Sequence, residues 1–139
     1  IFSFNNLMGA GILPMTIYRN KIYFLFSREN INKKKYDGGK WSDFGGSKEG
    51  NESFYETAVR EGFEESDGFI GTKEQIKKLL KNNFIKTITI PDVYRTYIVY
   101  IPYDNTLPKR FRTKFLSVKK NNPELIGKKG LYEKDMLKW

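Results

Sequence analysis

The stretch GGSKEGNESFYETAVREGFEES, Gly45 to Ser66, limits what this chain can fold into more than any other segment. It sets two glycines ahead of a helical pattern and holds six carboxylates, in a chain whose formal net charge is +9. From about Asn51 to Ser66 the apolar residues Phe54, Ala58, Val59 and Phe63 fall on one side of a helix. Asp67-Gly68 predicts its end, Gly68 suiting the left-handed position that closes a helix.

On that helix Glu61, Glu64 and Glu65 share a face, because residues three and four apart are neighbours. Like charges at this spacing repel by about 0.2–0.5 kcal/mol per pair, and the C-terminal half of a helix disfavours anions. The ordinary reading of such a run is a solvated acidic face. A divalent cation gives it a positive reason, since Mg²⁺ is satisfied by carboxylates, water and phosphate oxygens. Gly45 and Gly46 permit a tight loop whose carbonyls approach an ion. Glu52 and Arg60, eight positions apart, are spaced to pair and brace the junction of loop and helix.

The missing residue types narrow the chemistry. The chain contains no Cys and no His, which excludes disulfides, thiol nucleophiles, cysteine zinc sites, a Ser-His-Asp triad and HExxH zinc chemistry. Carboxylates, amines, hydroxyls and an oxygen-bound metal remain. Its 139 residues, 39% hydrophobic and 16% aromatic, are read as one domain spanning 1–139 with a single core. The abrupt opening IFSFNNLMGAGILPM reads as the middle of a longer chain. No apolar run reaches membrane-spanning length and no secretory signal is visible, so the expectation is a cytoplasmic protein with no membrane partner.

Around the acidic segment the pattern is mostly β. GILPMTIYRNKIYFLFSRE reads as a hairpin turning at Arg19-Asn20, and a short strand is expected from Lys40 to Phe44. TKEQIKKLLKNN is a short amphipathic helix. NFIKTITIPDVYRTYIVYIP holds two strands broken at Pro91-Asp92. LPKRFRTKFLSVKKNN is ambiguous between a loop and a basic helix, and GLYEKDMLKW between a strand and a helical turn. Strands around one strong helix imply an α/β or α+β domain with a mixed sheet.

Spelled out, the acidic segment is Gly46, five residues, Glu52, seven residues, then Arg60-Glu61-x-x-Glu64-Glu65. This resembles the Nudix box, the signature of hydrolases that cut nucleoside diphosphates linked to another moiety, and WSDFGGSKEG is similar to the lead into it. The resemblance implies an α/β/α sandwich with a mixed β-sheet. It also implies that Glu61, Glu64 and Glu65 hold Mg²⁺ or Mn²⁺, with the Gly45 carbonyl as a further ligand. Gly46, Glu52 and Arg60 would be structural. Two positions depart from the pattern. Gly62 replaces the usual aliphatic residue, at a helix cost of about 1 kcal/mol relative to Ala, and Asp67 stands where a Gly is expected.

In such hydrolases bound metal would neutralise the phosphates and acidify an attacking water. A general base is still needed, and with no His a carboxylate is expected, Glu124 or Glu133 outside the box. In mRNA-decapping members a catalytic Glu precedes a Trp by six residues, and EKDMLKW has that spacing from Glu133 to Trp139.

Three substrate readings follow. The first is hydrolysis of the mRNA 5′ cap, releasing methylated guanosine diphosphate and 5′-monophosphate RNA. It accounts for basic clusters at Lys33–Lys35, at Lys77, Lys78 and Lys81, at Lys109, Arg110, Arg112 and Lys114, and at Lys128 and Lys129. Trp41, Tyr36 and Tyr94 are available to stack on a base. The second is hydrolysis of diphosphoinositol or dinucleoside polyphosphates in a pocket lined by Arg28, Lys40, Lys48 and Arg112. The third is a non-catalytic Nudix-fold RNA-binding module, against which the complete set of box acids argues. The Lys/Asn/Ile/Tyr-rich texture also resembles proteins of AT-rich giant DNA viruses, which carry decapping Nudix enzymes; in that setting the compartment is the host cytoplasm.

Overall fold

The computed structural model describes residues 8–33 and 38–139. Lys34, Lys35 and Tyr36, named above, lie outside them. The first strand, β1 (Gly9–Tyr18), pairs antiparallel with β2 (Lys21–Phe24) through the turn expected at Arg19-Asn20. Both turn residues have positive φ, 50° and 62°, the geometry that matches the natural twist of a two-residue hairpin.

The second arm does not run on to Glu29 as one strand. Leu25 is fully buried in a core shared with Phe44 and Leu137. The chain pivots there and β3 (Phe26–Glu29) joins another sheet. Apolar content alone gave no sign of that change of partner. The strand expected from Lys40 to Phe44 is likewise two pieces, β4 (Trp41–Ser42) and β5 (Phe44–Ser47). Asp43 interrupts them.

Helix α1 (Phe54–Glu65) starts three residues later than the pattern suggested. Ser53 accepts from the Glu56 backbone N–H while the Glu56 side chain accepts from Ser53 N–H, a capping box that leaves Asn51 and Glu52 in the loop. The helix ends where expected, Asp67 and Gly68 both taking positive φ. Helix α2 (Lys73–Asn82) has the same start, Thr72 with Gln75. Strands β6 (Phe84–Ile90) and β7 (Tyr94–Tyr100) form an antiparallel pair. The ambiguous basic segment is α3 (Leu107–Asn121), with Pro at its start, where no amide donor is required. The last segment is a strand, β8 (Lys134–Lys138).

The larger sheet has the order β2-β1-β7-β6, with β5 also on β1. Its β1–β7 pair is parallel and the others antiparallel, so the sheet is mixed. The smaller sheet is β4-β3-β8. Helices α1 and α2 cover the larger sheet through Ala10, Ile12, Val59, Ile76 and Val99, and α3 covers the smaller one through Phe111 and Leu107. The α/β sandwich with a mixed sheet expected from sequence is the architecture found. Gly62 now has a reason. A β-carbon there would come within 2.9 Å of the Ile12 side chain, so a bare position lets α1 sit close on β1.

Candidate active site

Arg60 is the node from which the site is built. Its guanidinium donates to both Glu52 carboxylate oxygens at 2.8 and 2.9 Å, to Glu61 at 2.8 Å, to Glu64 at 3.1 Å and to the Ser47 carbonyl at 2.9 Å. The spacing of eight between Glu52 and Arg60 becomes this brace because two helical turns bring Arg60 back over the loop that precedes α1. Glu52 also accepts from the backbone N–H of Glu49 and the hydroxyl of Thr57. Arg60 holds the Glu52 carboxyl low, at about 2.

The same helix treats its later carboxylates in the opposite way. Glu61 and Glu65 are buried, at 8% and 5% exposure. Burial raises Glu61 to about 7 against the pull of Arg60, with Glu64 and Glu133 adding repulsion. Burial also pushes Glu65 up, and Glu133, Glu61 and Glu29 push it further while Lys134 pulls it down. Glu65 Oε2 is buried with no hydrogen-bond partner; the nearest cation, Lys134 Nζ, stands 3.9 Å away. An orphaned carboxylate oxygen in this position is costly unless something outside the chain satisfies it.

Several of the residues singled out from sequence meet here. A β-carbon on Gly46 would fall 2.5 Å from the Glu61 carboxylate, and one on Gly130 would fall 2.7 Å from that of Glu64. The two glycines thus let backbone close against the acids from both sides. Asp67 accepts from Tyr132 N–H at 2.8 Å, tying the end of α1 to the loop that brings in Glu133. That contact gives the acid at this position a structural role. Glu133 lies within electrostatic reach of Glu61, Glu65 and Asp67 and raises all three. Glu124 is exposed on a short 3₁₀ turn, Pro123–Leu125.

Beside the acids a cleft of about 510 Å³ opens between the two sheets, lined by Gly45, Gly46, Glu29, Asp43, Tyr94 and Lys134 among others. Asp43 accepts from Thr96 and Tyr94 hydroxyls at 2.9 Å each, and burial raises it above the usual carboxylate range. Tyr94 is therefore committed to Asp43 at one end while lining the cleft at the other. Lys134 was not foreseen. Its side chain is 1% exposed, yet its ammonium pairs with Glu29 at 2.7 Å and donates to Ser42 Oγ at 3.0 Å. Nothing in the local sequence marks a lysine for burial; its partners come from β3 and β4, far along the chain.

Of the substrate candidates Arg28, Lys40, Trp41, Lys48, Arg110 and Arg112, the fold gathers Arg28, Trp41 and Arg112 around Asp135 and holds Lys48 and Arg110 on other partners. Arg28 makes a two-point pair with buried Asp135, at 2.7 and 3.1 Å. Arg112 donates to the Asp135 carbonyl at 2.9 Å. Lys48 stands over the Phe54 ring and Arg110 pairs with Asp104. Lys40 is exposed between the Gly39 turn and Trp41, and Trp41 lies under Arg28. None of the six lines the cleft.

As donors for a divalent ion, the acids fit by chemistry. They supply hard oxygens in excess of the local cations, and Glu65 Oε2 is unsatisfied. In the arrangement seen, Arg60 occupies Glu61 and Glu64, and among the described residues no three acids close around one point. No helix among these residues is long and apolar enough to cross a membrane.

No protein-family model matches the chain. An uncharacterized protein from Acanthamoeba polyphaga mimivirus is 33% identical over 90 residues, which are 64% of this chain and 29% of that protein. The chain thus spans less than a third of that relative. Among solved structures, the chain is similar to an Ap4A hydrolase from C. elegans in a binary complex (18% identity, TM-score 0.47, 71% of this chain and 69% of that one). It is also similar to RenU, a Nudix hydrolase from M. smegmatis (17%, 0.46, 72% and 64%). A further likeness is to a MutT/nudix family protein from Enterococcus faecalis (17%, 0.48, 70% and 37%).

Proposed function

We propose that this chain is a metal-dependent pyrophosphohydrolase whose substrate is the 5′ cap of RNA, cut at a phosphoanhydride to release methylated guanosine diphosphate and 5′-monophosphate RNA. The observation that carries the reaction class is the division of labour on α1. Arg60 is spent on bracing the loop through Glu52, while Glu61 and Glu65 are buried beside the cleft at the expense of their ionisation. Unlike Asp43 and Asp67, whose burial is met by hydrogen bonds within the chain, Glu65 keeps an unpartnered oxygen, and raised acids beside a cleft favour a functional site.

In this reading Glu61, Glu64 and Glu65 hold Mg²⁺ or Mn²⁺, with the Gly45 carbonyl alongside. A bound divalent ion supplies positive charge against the phosphates and acidity to water. Glu133, delivered by the loop that Asp67 anchors, takes the proton from the attacking water. Lys134, paired with Glu29, lines the cleft, and Gly45 and Gly46 let a phosphate approach the backbone. The RNA body is favoured over a compact polyphosphate by the distribution of charge. Beyond Arg110 and Arg112, which are held by Asp104 and Asp135, helix α3 carries Lys109, Lys114, Lys119 and Lys120 and no acid, an open basic surface rather than a closed pocket.

The test is a substrate panel in Mg²⁺ and in Mn²⁺: cap-labelled RNA, free cap analogue, a diphosphoinositol polyphosphate and a dinucleoside polyphosphate. Capped RNA is expected to be cleaved with the highest kcat/KM, and Glu133→Gln to lower that rate by about 10²–10⁴-fold. Preference for either compact polyphosphate would replace the substrate assignment, and an unchanged rate in Glu133→Gln would remove the base.

A further inference from the structure

A second concavity lies next to the cleft. About 380 Å³ in volume, it is lined by Ile22, Phe24, Phe26, Trp41, Trp139 and Lys138 among others. Phe26 belongs to both concavities, so the recess and the cleft meet at this side chain. Its apolar surface faces water: Ile22 is 62% exposed and Trp41 42%.

Trp41 is also held in place. The Arg28 guanidinium lies 5.9 Å from its ring centroid, and Arg28 is itself fixed by two bonds to Asp135, a residue only 1% exposed. Asp135 is anchored in turn by the Ile31 N–H at 3.0 Å. A tryptophan supported this way loses little freedom when something stacks on it. No lining side chain is acidic, and the charge present is Lys138. Rigid aromatic rings with a cation and no anion suit a flat base carrying a phosphate. They suit a protein partner poorly. At about 380 Å³, the recess matches the size of a small-molecule or base pocket.

We infer that this recess is a stacking subsite for a nucleobase of single-stranded RNA, with Trp41 as its platform and Lys138 meeting the adjoining phosphate. The inference deepens the capped-RNA reading and rests on it for the continuity between cleft and recess. It explains why Arg28 is committed to Asp135: the arginine acts on the RNA through the tryptophan it supports.

The chain has two tryptophans, Trp41 and Trp139, and both line the recess, so intrinsic fluorescence reports on it directly. Metal-free protein in EDTA is titrated with an uncapped, 5′-monophosphorylated ten-nucleotide RNA. Quenching is expected, with Trp41→Ala weakening binding by about five- to a hundredfold. Lys138→Ala is expected to lower the slope of log affinity against log salt by about one. Circular dichroism confirms that both variants are folded, and Trp41→Phe, which keeps an aromatic platform, is expected to retain most of the affinity. Equal RNA affinity in wild type and Trp41→Ala, or no quenching at saturation, overturns the subsite. So does a Trp41-dependent dimer in sedimentation velocity, which would make a second copy the occupant. The assay needs neither metal nor a cap. Failure of capped-RNA cleavage therefore leaves its outcome intact, and cleavage without any dependence on Trp41 defeats the subsite alone.

Discussion

The two ends of α1 use the same residue type under opposite conditions. At the N-terminal end Glu52 is half-buried, doubly bonded to Arg60 and held at about 2. At the C-terminal end Glu65 is buried, pushed upward, and keeps one oxygen without a donor. One end is complete in itself. The other leaves a buried carboxylate oxygen unsatisfied within the chain, and this asymmetry separates the braced part of the segment from the part proposed to hold a metal.

Removing Arg60 breaks both ends at once and carries the largest expected effect. Arg60→Ala leaves Glu52, Glu61 and Glu64 without their shared cation, and losing one partner of a buried ion pair costs about 3–5 kcal/mol. Urea unfolding measures that loss. A variant as stable as wild type would mean that the brace is ornamental.

Glu65→Gln separates the ends. Turnover is expected to fall by at least about a hundredfold, the upper range seen when partners of metal ligands are lost. Metal-free stability should hold or rise, because glutamine keeps the size of the side chain and cannot ionise in a buried position that disfavours the charged form. Glu64→Gln is expected to lose turnover likewise, and near-normal rates in both variants would end the metal assignment.

The pH dependence of the metal-free protein sharpens the contrast. Glu61 is raised from 4.5 to about 7, so the folded chain holds that proton more tightly than the unfolded chain. Its contribution is fully present below 4.5 and is lost as pH climbs to about 7. Glu52 has the reverse sign, its contribution present above 4.5 and lost as pH falls towards about 2. Unfolding free energies measured in EDTA should therefore decline from pH 4.5 to 7, less steeply in Glu61→Gln. Asp67, also raised to about 7, maintains part of the slope. Identical slopes in wild type and Glu61→Gln would contradict the burial argument. The smallest effect is at the cap: Ser53→Ala should cost about 1 kcal/mol in unfolding and leave the rate unchanged.

What was legible in the sequence was local. The turn at Arg19-Asn20, the stop at Asp67-Gly68, the shared face of Glu61, Glu64 and Glu65 and the spacing of Glu52 and Arg60 each depend on a few neighbouring residues. Backbone geometry fixes those relations wherever the segment sits. The basic segment at Leu107 stayed open because Pro and a dense run of cations weaken the helical signal; packing of Phe111 and Leu107 on the smaller sheet decided it.

The sequence by itself determined which acids share a face, because that relation depends only on their spacing along one helix. Tertiary structure alone decided which charges are spent and which are free. Arg28 and Arg112, basic residues like any others in the sequence, are both turned to Asp135 from elements 107 and 23 positions away. Lys134, equally ordinary, is buried where Glu29, Ser42 and Glu65 converge. Pairing between distant strands depends on the folding of the whole chain, and a charge's partner cannot be read from its neighbours when that partner comes from another sheet.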